Sequence, residues 1–312
     1  MPRIPYQLWD VFTDRQLAGN QLAVVPGAGN LSDSTMQRIA NEFSLPETVF
    51  VVQPSVPECQ ARLRIFTPER ELPMAGHPTI GATFSLAAAG KLSSLADSTF
   101  LQLEIGPTLV ELTWRENVLH TAWMSQRAPE FGPHCDDVAG LARMLRIPTS
   151  DIVVRSQPGQ ILSSGVPLLF VALRSRDAVD TAILDRAELA NLCNHMGVGE
   201  CPVYIFTLEK GTDDTTIYSR MFAPIFGIAE DPATGGANGP LGAYVAKHWP
   251  EWVPTNGQMV NAQGVKMGRP SRILVAVPNA DRQSQGVKVG GQSVQLGQGE
   301  LNLVVNVDER AT

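Results

Sequence analysis

Apolar residues recur along this chain with two periods, and the switches between them outline its elements. Tyr6 to Phe12 reads as a strand, Gly19-Asn20 as a turn and Leu22 to Val25 as a second strand. Met36, Ile39, Ala40 and Phe43 stand at i, i+3, i+4 and i+7, which predicts a helix with one buried face, capped by Ser32 or Ser34. It ends near Ser44-Leu45-Pro46. Thr48 to Val52 and Ala61 to Phe66 return to the strand period. Ala82 to Ala89 is different, being small and apolar on almost every side as far as Gly90. A helix apolar all round has to be enclosed. Phe100 to Ile105, Thr108 to Trp114 and Val118 to Met124 then follow as strands joined by short turns.

The second half retraces this order. Arg220-Met221-Phe222-Ala223-Pro224 repeats Arg64-Ile65-Phe66-Thr67-Pro68 at an offset of 220 − 64 = 156, half the chain length. Ser164 to Val171 is similar to Ala18 to Val25. A helix from Asp185 carries Leu189, Leu192, Cys193 and Met196 in the phase of the first helix, at an offset of 153 that puts Glu200 on Glu47. Val203 to Leu208 is a strand, and a second small apolar helix runs from Pro240 towards Val245 and stops before Trp249-Pro250. Strands near Met259 to Gln263, Ile273 to Val277, Val287 to Val289 and Ser293 to Val307 close the chain. A helix around Val138, Leu141, Ala142 and Leu145, capped by Asp136, has no counterpart in the first half. The pattern predicts an α+β protein of two pseudo-symmetric domains. Each is a mostly antiparallel, barrel-like sheet of roughly seven strands wrapped around a central buried helix. Residues 1–126, completed by a C-terminal strand from about 297–312, form the first domain, and 127–296 the second.

Composition narrows the partners. The 312 residues are 44% apolar and 18% charged, which suits a soluble globular protein. A net charge of −7 without basic blocks argues against nucleic acid or an anionic membrane. Met1 to Asp10 shows no signal pattern, and the longest apolar run, Val166 to Leu173, is too short to cross a bilayer. Four cysteines (59, 135, 193 and 201) without a CxxC pair point to a reducing cytoplasm. Cys193, His195 and Cys201 lack the second paired spacing that a zinc site needs.

The candidate chemistry sits where the buried helices begin. Gly76 lets the backbone approach a ligand, and Pro78 suits the first helical position. The N–H groups of that turn can hold an anion, with His77 beside them. Alone, this is an ordinary tight turn on a core helix. In the second half Glu230-Asp231-Pro232-Ala233-Thr234-Gly235-Gly236-Ala237 stands in the place of Gly76 to Ala82. Two such starts in similar domains predict one shared small-ligand site in a cleft between them.

Four motifs in order carry a family resemblance: Asp10-Val11-Phe12-Thr13 with Gly19-Asn20, Asn41 to Thr48, Phe66-Thr67-Pro68 with Gly76-His77-Pro78-Thr79, and Glu230 to Gly235. On these the chain resembles the phenazine-biosynthesis isomerase (PhzF-like) family, which shares its duplicated fold with diaminopimelate epimerase. The resemblance implies a metal-free and cofactor-free isomerase, usually a homodimer, that moves a proton within a small unsaturated carboxylic acid. It implies that Glu47 is the proton-transferring carboxylate, supported by His77 and Asp231, with Asn20, Gly76, Pro78, Thr234, Gly235 and Gly236 as substrate contacts. Taken singly, Glu47 reads as a loop carboxylate and Asp231 as a helix cap; the family motif alone promotes them. A carboxylate held in an apolar cleft can both remove and return a proton. One departure stands out: the phenazine enzymes of the family carry serine where this chain has Gly236. Two alternatives remain open. An amino-acid epimerase of this fold needs two opposed cysteines, and the corresponding places hold Ala75 and Thr234. A non-catalytic acid-binding protein on the same scaffold has no such conflict.

Overall fold

The computed structural model describes residues 3–154, 158–209, 214–277 and 286–303. The chain divides into two compact units, one running to Met124 and resuming at Gln292, the other spanning Ser125–Gly291.

In chain order the first unit contains β1 (Arg3–Val11), β2 (Asn20–Pro26), α1 (Asp33–Phe43), β3 (Glu47–Val52), β4 (Cys59–Phe66), β5 (Glu71–Leu72), α2 (Gly76–Ala88), β6 (Ser98–Leu103), β7 (Gly106–Arg115) and β8 (Val118–Ser125). The second contains β9 (Glu130–Cys135), α3 (Val138–Leu145), β10 (Gly159–Ser163), β11 (Pro167–Ala172), α4 (Arg176–Thr181), α5 (Arg186–His195), β12 (Val203–Thr207), β13 (Ile217–Ala223) and β14 (Ile228–Asp231). It goes on through α6 (Gly235–His248), β15 (Gln258–Gln263), β16 (Ser271–Ala276) and β17 (Lys288–Gly291). The last strand, β18 (Ser293–Asn302), returns to the first unit, antiparallel to β1. The part of the expected final strand beyond 303 lies outside the described residues.

The two units share a pairing scheme. In the first, β18, β1 and β2 pair antiparallel, β2–β3 parallel, β3–β4 antiparallel, β4–β6 parallel, and β6–β7–β8 antiparallel. In the second, β9, β10 and β11 pair antiparallel, β11–β12 parallel, β12–β13 antiparallel, β13–β15 parallel, and β15–β16–β17 antiparallel. The order of senses is identical. Short β5 and β14 pair with β4 and β13 at the same place. Strands β5, β9 and β14 have no periodic signature in sequence, being two residues long, interrupted by Gly132-Pro133, and four residues long respectively.

α1 begins at Ser32, whose hydroxyl accepts the Thr35 N–H at 3.2 Å, and buries Met36, Ile39 and Ala40 against Phe50 and Phe66. α3 is capped by Asp137, one residue beyond the expected Asp136, through the Gly140 N–H at 2.8 Å. α2 is buried on every side from His77 to Leu86 and packs against β1, β2, β3, β4 and β18. It tolerates two threonines there because each hydroxyl returns to the carbonyl four residues back, Thr79 to Ala75 at 2.7 Å and Thr83 to Thr79 at 2.8 Å. Gly81 is required by this approach, since a Cβ there would overlap Leu22 and Val11. α6 is enclosed in the same way by Phe170, Tyr204, Phe206, Met259 and Val275. It starts at Gly235, five residues before the expected Pro240, which lies inside the helix. A proline so near the start interrupts only one hydrogen bond while the surrounding core holds the backbone helical.

Candidate active site

In the first unit, α1 stops because Ser44 turns left-handed (φ 50°) and Pro46 cannot extend a helix. The chain re-enters the sheet at Glu47, opposite Leu22 on the parallel strand β2. That strand opens with Asn20, fully buried, delivered by a tight turn in which Phe12, Leu17 and Gly19 all have positive φ. Buried Asp10 ties the turn down by accepting the Leu17 N–H at 2.8 Å. Above both lies the ring of His77, with Nδ1 3.0 Å from Glu47 Oε2 and 3.4 Å from Asn20 Nδ2. Asn20, Glu47 and His77 thus form one cluster from three elements.

Such a His–Glu contact is an ion pair only if the ring is protonated. Burial works against that and pulls the His77 pKa down to about 3, opposed only in part by a hydrogen bond to the Gln21 backbone. We therefore read the 3.0 Å contact as a close approach of a neutral imidazole to the Glu47 carboxyl group and not as an ion pair. A neutral ring donates from one nitrogen and accepts at the other. Nδ1 can donate a hydrogen bond in one tautomer or accept one in the other, and the Asn20 Nδ2–H donor facing it at 3.4 Å favours the accepting form. His77 Nε2 is buried and meets no hydrogen-bond partner among the described residues.

Gly76 and His77 are the first two residues of α2, and Pro78 is the third rather than the expected first. Its ring removes one donor from the turn, and Ala75 at the cap position has no oxygen to offer. The donors aimed out of this helix start are those of Gly76 and His77.

In the second unit, Asp231 ends β14, buried and paired with Met221. Thr234 occupies the cap position of α6 but does not cap; its hydroxyl donates to Asp231 Oδ2 instead. Gly235 and Gly236 are the first two helical residues, and a Cβ on Gly236 would meet nothing within 4 Å. Gln263 accepts the Thr234 N–H at 3.2 Å and donates to the Asp231 carbonyl at 2.8 Å and the Thr234 hydroxyl at 2.9 Å. Gln263 was not among the candidate residues, because at the end of an alternating strand it is indistinguishable from a solvent-facing side chain.

Two ion pairs fix how the helix starts correspond. Arg64 grips Glu71 in the first unit (Nε–Oε1 2.8 Å, Nη2–Oε2 2.6 Å), and Arg220 grips Glu230 in the second (both 2.8 Å). Glu71-Leu72-Pro73-Met74-Ala75-Gly76-His77 therefore matches Glu230-Asp231-Pro232-Ala233-Thr234-Gly235-Gly236 at 230 − 71 = 159, three more than the offset between the arginines. This corrects the correspondence expected from sequence. Asp231 stands in the place of Leu72, and His77 in the place of Gly236. Glu200 is likewise no counterpart of Glu47. It precedes β12 by three residues and lies 3.8 Å from Arg186.

Comparison with known proteins agrees with this organisation. The model of the phenazine biosynthesis-like protein family, PhzC-PhzF, matches residues 9–299. An uncharacterized isomerase of Mesorhizobium japonicum is 32% identical over 95% of this chain and 98% of its own length. The trans-2,3-dihydro-3-hydroxyanthranilate isomerase of Pseudomonas aeruginosa is also 32% identical, over 96% of this chain and 99% of its own. The crystal structure of a PhzF-family phenazine biosynthesis protein from Bacillus anthracis superposes with a TM-score of 0.86 at 24% identity, covering 97% of this chain and 100% of that one, a likeness of fold. The chain belongs to the phenazine biosynthesis-like (PhzC-PhzF) family of isomerases.

Proposed function

We propose that this isomerase moves a proton within a small unsaturated carboxylic acid, with Glu47 as the group that removes and returns it. The observation that carries the reading is the 3.0 Å contact between Glu47 and a buried His77 held neutral at the uncapped start of α2. A neutral imidazole can keep a hydrogen-bonding nitrogen beside Glu47 while the carboxyl group takes up and releases the substrate proton, without itself becoming a buried ion. Asn20 orients the ring. The N–H groups of Gly76 and His77 suit a carboxylate or the negative charge that develops as the proton leaves. Asp231 and Thr234 supply an acceptor and a hydroxyl for the substrate's polar groups, while Gly235 lets its backbone come close. The reaction transfers a proton and no net electrons, so it needs no redox partner, and the family resemblance implies no metal or other cofactor. By the same family likeness each sheet closes barrel-like around its helix, and the enzyme works as a cytoplasmic homodimer.

Gly236 bears on which acid is used. The open space around it can take a substituent that a side chain would exclude. A missing hydroxyl also withholds a hydrogen bond worth about 1–3 kcal/mol when its partner stays buried. We infer that the natural substrate differs from the trans-2,3-dihydro-3-hydroxyanthranilate named for the Pseudomonas relative.

Glu47→Gln preserves shape but cannot carry the proton, so turnover of any acid the wild type isomerises should fall by roughly a hundredfold or more with unchanged melting temperature. Near-normal activity of that variant would refute the assignment. For His77 the sign follows from its lowered pKa. The unfolded ring takes up a proton near pH 6.5 and the folded one only near 3. Stability should therefore be lost as pH falls through that window, by a few kcal/mol. Urea unfolding at pH 7 and pH 4 should show a smaller loss in His77→Gln; equal losses would mean the folded ring titrates normally. On trans-2,3-dihydro-3-hydroxyanthranilate the wild type should be slow and Gly236→Ser faster. Efficient wild-type turnover that serine does not improve would make this chain an ordinary enzyme for that substrate.

A further inference from the structure

Behind Asp231 and Thr234 lie five polar side chains that the reaction as described does not use. Tyr204, Ser219, Asn238, Asn261 and Gln263 are all essentially inaccessible to solvent. They come from β12, β13, α6 and β15, and they bond to one another. The Tyr204 hydroxyl lies 2.7 Å from Gln263 Oε1, 2.9 Å from Asn261 Nδ2, 3.0 Å from Ser219 Oγ and 3.2 Å from Asn238 Nδ2.

Their direction can be deduced from the backbone groups at the ends. The Thr234 N–H can only donate, so the Gln263 oxygen faces it, at 3.2 Å. The Asp231 carbonyl can only accept, so the Gln263 nitrogen faces that, at 2.8 Å. With its amide fixed, Gln263 donates to the Thr234 hydroxyl at 2.9 Å, and that hydroxyl passes its own proton on to Asp231 Oδ2. The same logic works from the other end. Asn238 Nδ2 donates to the Thr234 carbonyl at 2.8 Å, so its oxygen accepts from Asn261 at 2.7 Å, and the Asn261 oxygen accepts from Ser219 at 2.9 Å. Tyr204, receiving from both asparagines, donates to Gln263. The donors Ser219, Asn261, Tyr204, Gln263 and the Thr234 hydroxyl thus follow one another in a single sense that ends on Asp231, while the Thr234 N–H runs back to Gln263.

The duplication supplies an internal control. At the matching places in the strand pairing the first unit has Val49 for Tyr204, Leu63 for Ser219 and Thr79 for Asn238; counting along β6 from its pairing with β4, it has Leu101 for Asn261 and Leu103 for Gln263. All five are buried. The same topology therefore folds with leucine at three of these positions and needs no polar chain there. Burying five polar groups in the second unit is unfavourable unless each is fully satisfied, so their presence asks for a reason other than packing.

We propose that these residues form a one-way hydrogen-bond chain that makes Gln263 the positioning residue of the second unit's site, holding the Thr234 hydroxyl on Asp231 and keeping Asp231 an acceptor. The inference rests on the reading of Asp231 as a site residue, and its test does not need turnover. Protein labelled with ¹³C at the aspartate carboxyl carbon gives a signal for Asp231, assigned by its loss in Asp231→Asn. Thr234→Val, which removes the hydroxyl at constant shape, should shift that signal, and Thr234→Ser should restore it. Gln263→Glu, which replaces the donor nitrogen by an acceptor, and Gln263→Leu should each shift it in the same direction as Thr234→Val. Ser271→Ala, which removes a buried donor to the neighbouring Pro232 carbonyl outside the chain, should leave it in place. Melting temperatures report folding, and either Gln263 variant suffices if the other is unstable. A wild-type Asp231 signal in folded Gln263 variants, or in Thr234→Val, would overturn the proposal. Full activity in Asp231→Asn alongside the expected shifts would instead sink the catalytic reading and leave the chain intact.

Discussion

The governing constraint is the enclosure of a helix that has no solvent face. α2 is buried from His77 through Leu86, so the sheet must cover it on every side and the free N–H groups of its start have no water to turn to. An N–H left unpaired in such a place costs about 1–3 kcal/mol. The usual remedy is a side-chain cap, and both α2 and α6 lack one, Ala75 because it has no oxygen and Thr234 because its hydroxyl is engaged by Asp231. The candidate residues of each unit gather at these uncapped starts: Asn20, Glu47 and His77 in one, Asp231, Thr234 and Gln263 in the other. In each unit the missing cap and the candidate site coincide.

The duplicated scaffold is filled differently in its two copies. What is kept is the frame: the order of strand senses, the Arg–Glu clamp before each helix, and a side chain bonded back to the cap carbonyl, Thr79 in one unit and Asn238 in the other. What differs is the chemistry. A neutral imidazole stands where the other copy has Gly236, and leucines stand where it has Ser219, Asn261 and Gln263. One copy presents a group suited to moving a proton, the other a braced acceptor. Function in this protein lies in what is set on the frame rather than in the frame.

Much of this was legible in sequence because it is carried by local pattern. The phase of Met36, Ile39 and Ala40, the all-round apolar run after Gly81 and the repeated Arg-x-Phe-x-Pro each express a short-range rule. The parts that were not legible depend on contacts across the fold. Pro78 at the third helical position and Pro240 inside α6 reflect a surrounding core that overrides local punctuation. The three-residue slip between the halves, hidden between the arginines and their glutamates, became visible only through the ion pairs. Tyr204, Ser219, Asn261 and Gln263 look like unrelated residues of three strands, and only the pairing of β12, β13 and β15 makes them a network.

The claim that Glu47 moves a proton is tested most directly by mass spectrometry of substrate incubated with enzyme in D2O. The acids to use are trans-2,3-dihydro-3-hydroxyanthranilate and a set of smaller unsaturated carboxylic acids. With the wild-type enzyme the account predicts an isomer, a carbon-bound solvent deuteron, or both, for at least one acid, and neither with Glu47→Gln. Binding of such an acid without isomer or deuterium would identify a binding protein, and equal incorporation by the Gln variant would place the proton transfer on another residue.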